Sequence, residues 1–201
     1  AFIKTLTSGY STVAYKTADI SSTGDFTVTA TADEMSQAVI QYGFAVTGPL
    51  ADPADTSLGS VVVGTEAPPA SGNDVTVATS QAWNAYVNAF NVSDGAYAFG
   101  FAYTVSDLRA TPTTSSMTLE PNTAIWTAEA TNDGWFDQGA ATQTANKYIE
   151  ALSYIEDATL ANEELTFSGN VSVSNLGNGY TVVAFIKTLT SGYSTVAYKT
   201  A

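Results

Sequence analysis

Aromatic rings and carboxylates are the residues of this chain best suited to chemistry. Three Trp and 11 Tyr supply flat faces of the kind that cover the apolar side of a pyranose ring. Trp126 and Trp135 flank the polar stretch 129–133 and, as loop aromatics, are the candidates for an exposed stacking platform. Trp83 sits in a strand pattern and reads as core. In 148–156 one face of an alternating segment presents Tyr148, Glu150, Leu152, Tyr154 and Glu156. With Lys187 and Gln41 that face could line a groove or meet another subunit. Carboxylates gather at Asp52 and Asp55, Asn91 and Asp94, Asp133 and Asp137, Glu156-Asp157 and Glu163-Glu164. Hard oxygens in loops can hold Ca2+, although none of these sets has the EF-hand spacing. Asp52, Asp55, Asp133 and Asp137 are the candidate cation ligands, and a bound Ca2+ would relieve repulsion between packed units.

Catalysis has little to work with. The chain holds neither His nor Cys, which removes the His general base, the thiolate nucleophile, the zinc finger and the disulfide framework. Glu150 with Glu156 or Asp133 could be paired for glycoside hydrolysis, but nothing sets them apart from the other acids. No Gly-rich phosphate loop or nucleotide fingerprint occurs, so the chain is expected not to be an enzyme. Acidic residues outnumber basic ones 19 to 6 for a net charge of −13, a surface that repels nucleic acid and anionic membranes. No apolar run reaches the length of a transmembrane helix, so no membrane insertion is expected. Charged residues are 12% of the chain, about half the usual quarter. With no Cys and much Ser, Thr, Asn and Ala, this composition suits an extracellular or cell-surface protein. The start at Ala1, without initiator Met or signal peptide, fits a mature secreted chain. Asn91-Val92-Ser93 and Asn170-Val171-Ser172 match the glycan acceptor pattern.

The elements that must position these residues are strands. Period-two alternation runs through 25–31, 38–46, 60–63, 75–78, 83–90, 97–101, 117–119, 148–156, 165–173 and 180–189. Turn signals such as Ser93-Asp94-Gly95 and Asn178-Gly179 separate them. Many short strands so spaced predict an all-β, antiparallel sandwich or barrel. Several strands are apolar on both faces, as where a sheet is covered twice or its outer face meets a partner. Only 138–149 reads as helical. The stretch 64–73, with Pro68-Pro69-Ala70-Ser71-Gly72, is the best linker candidate, which puts a possible module boundary near 65–74.

Read circularly from Val75 through Val183 and on from Ala1 to Gly64, the chain resembles a tandem-repeat module of secreted bacterial proteins. That module is akin to jelly-roll carbohydrate-binding modules of the galactose-binding-like type. Trp83-Asn84-Ala85-Tyr86-Val87-Asn88-Ala89-Phe90, Met117-Thr118-Leu119-Glu120-Pro121-Asn122, Leu165-Thr166-Phe167-Ser168-Gly169-Asn170-Val171, Ala184-Phe185-Ile186-Lys187 and Gln41-Tyr42-Gly43-Phe44 carry the resemblance. It implies a two-sheet jelly roll, with polysaccharide binding possible and a structural Ca2+ common.

The residues with most to say are at the two ends. Residues 1–18 read AFIKTLTSGYSTVAYKTA, and 184–201 read the same without one substitution. This fixes a period of 183 residues: one unit, 1–183, with 184–201 as the start of the next. The copies look like two short strands joined at Ser8-Gly9, and a folded unit has one slot for that hairpin. The second copy is then expected in the equivalent slot of a neighbour, as an added strand. Such head-to-tail contact makes open filaments when its rotation does not close. Phe2, Ile3, Leu6, Val13 and Tyr15, with their twins Phe185, Ile186, Leu189, Val196 and Tyr198, are the expected assembly residues. The functional expectation is a subunit of an extracellular fibre whose partner is another copy. A carbohydrate-binding module of a tandem protein is the alternative, and a circular permutant or a slice of a tandem protein would also carry such ends.

Overall fold

The computed structural model describes residues 15–16, 20–64, 73–77, 81–137, 143–192 and 195–200. At 15–16, 73 and 195–200 it describes the backbone alone. In chain order the strands are β1 Tyr15–Lys16, β2 Gly24–Ala30, β3 Val39–Pro49, β4 Val61–Gly64, β5 Asn73–Val75, β6 Asn84–Asn91, β7 Tyr97–Tyr103, β8 Ala110–Pro112 and β9 Ser116–Leu119. A five-residue helix, α1 Ala124–Ala128, follows. Then come β10 Phe136–Asp137, β11 Thr144–Ala145, β12 Lys147–Glu156, β13 Leu165–Ser174, β14 Thr181–Leu189 and β15 Thr195–Thr200.

Alternation drives this architecture. In β2 every second residue, Phe26, Val28 and Ala30, is buried and those between are exposed, the mark of a sheet with one face on the core. Two large sheets result beside the two-stranded pair β10-β11, one ordered β1-β15-β14-β3-β12-β6-β7, the other β2-β13-β4-β9-β8 with β5 also on β13. The antiparallel pairs β2·β13, β3·β12, β4·β9 and β6·β7 are those of a ribbon wound over a core. Splitting that ribbon into two layers gives β2-β13-β4-β9 facing β3-β12-β6-β7, the strand order of a jelly roll. The fold is an antiparallel β-sandwich. Its eight jelly-roll strands, β2, β3, β4, β6, β7, β9, β12 and β13, run in plain chain order from Gly24 to Ser174. The β14–β15 hairpin, which holds the second copy of the duplicated sequence, is an extension on the β3 edge.

The core lies between the layers. Phe167 from one sheet meets Phe44 and Tyr42 from the other at ring-centroid distances of 5.2 and 5.4 Å, and Phe26 at 5.5 Å, the tilted and edge-on contacts that aromatic quadrupoles favour. The larger sheet carries a second, smaller apolar cluster of Ala45, Leu152 and Phe185, with Tyr86, Tyr154 and Val183 packed on it. Its members alternate with those of the main core, Phe44 and Val46 on β3 and Ala184 and Ile186 on β14, so they lie on the sheet's other face. β14 is therefore apolar on both faces. At Gly43 a Cβ would come within 2.2 Å of the Ser153 carbonyl oxygen, so β3 and β12 can approach there only because the residue is glycine.

The helix expected over 138–149 is not formed in its described part: β11 and the start of β12 occupy 144–145 and 147–149. There the run Lys147, Ile149, Ala151, each buried between more accessible neighbours up to Glu150, imposes period two over the helix propensity of Ala and Gln. Of the linker candidate 64–73, residues 65–72 lie outside the described residues. β4 before it and β5 after it both pair with β13, so the two flanks belong to one sheet.

Candidate functional site

The duplicated sequence meets the described fold at the outer edge of β14. On β14, Val182, Ala184, Ile186 and Thr188 are buried toward the main core, and Phe185 and Leu189 are buried on the other face. β15 pairs antiparallel to it, with Phe185 opposite Thr200, Ile186 opposite Lys199 and Lys187 opposite Tyr198. Continued in that register, the lane beside β14 would bring the third residue after Thr200 opposite Val182. Ile20 stands there: its backbone N–H donates to the Val182 carbonyl at 3.1 Å. Ile20 is itself the third residue after Thr17, the twin of Thr200. The lane thus leads straight into the segment that follows the first copy while the second copy occupies it.

One lane therefore has two sequence-identical claimants. Residues 12–17 have it by covalent continuity with Ile20, and 195–200 have it by occupancy. What is described of the first copy lies one lane further out. β1 pairs with β15 in parallel, Tyr15 beside Tyr198 and Lys16 beside Lys199, each residue next to its own twin. Its described part is two residues long and of the parallel kind, slightly less stable per residue than an antiparallel pair. Residue for residue it is the weaker pairing of the two.

Of the expected assembly residues, Phe185, Ile186 and Leu189 are buried, with exposures of 0%, 1% and 3%. Ile186 lies in the main core and Phe185 in the second cluster. Tyr15, Val196 and Tyr198 are placed by backbone only. Phe2, Ile3, Leu6 and Val13 lie outside the described residues. Comparison of the chain with protein-family models, with curated proteins and with solved structures finds no match.

The other candidates are dispersed. Trp135 is 2% exposed and meets Phe99 edge-on at 4.8 Å. Trp126, half-buried against the core, meets Phe136 edge-on at 5.0 Å. Trp135 therefore faces inward against Phe99, whereas Trp126 stays partly accessible beside Phe136. Tyr148 and Glu150 do share a face, with Tyr148 exposed and Glu150 accepting from Asn88 Nδ2 at 2.8 Å. On the same face, register sets Lys187 next to Gln41 and Gln41 next to Glu156, and Gln41 Nε2 donates to Glu156 at 3.0 Å. Burial pulls the Lys187 ammonium below its ordinary pKa, and the nearby Glu150 carboxylate works against that.

The cation candidates do not converge. Asp52 accepts from the Ala54 amide at 2.8 Å, and Asp55 from the Ser57 amide and hydroxyl at 2.8 and 2.7 Å. The Ser57 bonds hold Asp55 below the usual carboxylate range. Asp137 accepts from Asn146 Nδ2 at 3.3 Å, and Asp133 meets the same amide through its backbone carbonyl. Among the described residues no group of three or more acidic side chains gathers to hold a metal. Asp52 and Asp55 each turn back on their own loop, which is how Asp commonly shapes a turn. No described helix is long and apolar enough to cross a membrane.

Proposed function

We propose that this chain is the repeating structural unit of an extracellular filament or surface fibre, built head-to-tail by β-strand complementation. One observation carries the reading: the lane beside β14 continues in register into Ile20, yet is filled by a second copy of the residues that precede Ile20. A unit with one good seat and two identical strands always has a strand to spare. Its own weaker seat offers a parallel pair, whereas an edge on another unit offers a full ladder. The donor and acceptor surfaces differ, so the contact is heterologous and propagates. The role is mechanical and associative, and it assigns no catalysis to any residue.

Light scattering and electron microscopy of the full chain test this, beside a variant carrying Ile3→Asp and Leu6→Asp in the first copy only. The wild type is expected to form filaments with one unit per axial step. The variant, whose second copy is intact, is expected to keep its circular dichroism and lose assembly. A wild-type chain that stays monomeric at every concentration, or a variant that assembles as well as wild type, would overturn the proposal.

A further inference from the structure

At the far edge of the seven-stranded sheet, away from the duplicated hairpin, lies β7. Its sequence, Tyr97-Ala98-Phe99-Gly100-Phe101-Ala102-Tyr103, contains no charge and no proline, and among the described residues only β6 pairs with it. Edge strands are ordinarily blunted by shortness, charge or proline, because their unpaired N–H and C=O groups recruit other strands. The edges of the other sheet show such devices: β8 is three residues long with Pro112, and β2 carries Asp25. β7 shows none.

Exposed apolar side chains gather at the same place. Of the five large hydrophobic residues exposed among those described, Tyr97 (56%) and Phe101 (55%) are on β7 and Val92 (59%) is in the turn before it. A fourth, Tyr148, stands in one cross-strand row with Phe90 and Tyr97. Carboxylates bracket the strand. Asp94 sits in the preceding turn, where it accepts from the Ala96 amide at 2.9 Å. At the far end, burial raises the Tyr103 phenol pKa and the nearby Glu129 and Asp107 carboxylates add to it.

The duplicated sequence complements this edge. Its second copy forms strands in β14 and β15, so the residue order suits a strand. Four of the six basic residues of the chain, Lys4, Lys16, Lys187 and Lys199, lie in the two copies, and none of the 19 acidic ones does. A positively charged, apolar, strand-forming segment thus belongs to a body that is otherwise strongly acidic.

We propose that β7 is the acceptor edge for residues 1–18 of a second copy of this chain, so that the seven-stranded sheet runs on from unit to unit. The inference rests on the strand-sharing reading and gives it an address. Donor and acceptor lie at opposite edges of one sheet, so each added unit presents a new β7 and growth does not close.

The absence of native Cys allows a direct test with full-length chains. One population carries a single Cys at one of residues 2–6, the other Ala102→Cys, and the two are mixed and mildly oxidised. Each chain holds one thiol, so any disulfide reports a neighbour, and bonding demands close Cβ approach. The expected result is a mixed disulfide at alternate donor positions, on the order of tenfold above a control with Thr27→Cys on the edge strand β2. The variant Phe101→Lys with Ala98→Lys, changed at exposed positions, should melt as wild type while its association constant falls on the order of tenfold or more. Disulfides between two Ala102→Cys chains would show β7 pairing with itself and overturn the proposal. Persistent polymer without a mixed disulfide, and insensitive to Phe101→Lys, would put the donor elsewhere and leave strand sharing intact. A monomeric chain would remove both readings.

Discussion

Deleting residues 195–201 should barely destabilise the chain at low concentration, although it removes a strand with five register pairs to β14. The segment 12–17 has the same sequence, is joined to Ile20, and needs no new loop to enter the vacated lane. Deleting 1–17 should also cost little, because 195–200 already fills the lane. Each single deletion is expected to change stability by about 1 kcal/mol or less, the range of surface changes. Deleting both empties the lane. At about 0.5–1.5 kcal/mol net per ladder hydrogen bond, and one bond per pair, five pairs amount to about 2.5–7.5 kcal/mol. The apolar Phe185 and Ile186 would lose cover besides. Urea unfolding of the four chains gives the cycle, whose coupling term should be nearly the whole double-deletion loss. Additive costs, or a single deletion of 195–201 that already loses several kcal/mol, would refute the claim that the two copies compete for one lane.

Three further outcomes are expected. Gly43→Ala should lose about 2–4 kcal/mol in urea unfolding, because the new Cβ meets the β12 backbone and not a side chain that can swing away. Trp135→Ala should lose about 3–5 kcal/mol, the usual result of emptying a buried aromatic site, and a glycan array should read the same for mutant and wild type; glycan binding lost with the fold intact would restore the stacking role. Burial pushes the Tyr42 phenol pKa up to about 12, with the Gln81 hydrogen bond opposing and Asp157 adding. The folded state thus favours the neutral phenol, whose contribution is intact below pH 10.0 and lost as pH rises through about 12. Tyr42→Phe should flatten the alkaline limb of the stability curve, and an equally steep limb in the variant would contradict this.

Most of the sandwich was legible because alternation is a local signal. The expected 25–31, 148–156 and 165–173 lie within a residue or two of β2, β12 and β13. Short elements that tertiary contacts impose were not, among them β8 and α1. Over 143–149, the described part of the helix expected at 138–149, strands form because Ala and Gln propensity is weaker than the burial of Ile149 and Ala151. The site was half legible. Identity of the two ends showed one hairpin sequence present twice, and β14 with β15 shows it in its second copy. The register that carries the lane into Ile20 joins residues far apart in sequence, which no local pattern reports. Trp126 and Trp135 looked like loop aromatics because composition gives the polarity of a loop and not the direction its rings face.

Native mass spectrometry of the full-length chain, taken over a wide range of concentration, tests the central claim most directly. A ladder of integer multiples of the chain mass, collapsing to single chains on denaturation and when Ile3 and Leu6 of the first copy are made Asp, is the predicted result. A single-chain species at every concentration would show that the surplus strand finds its place at home, and would contradict the account.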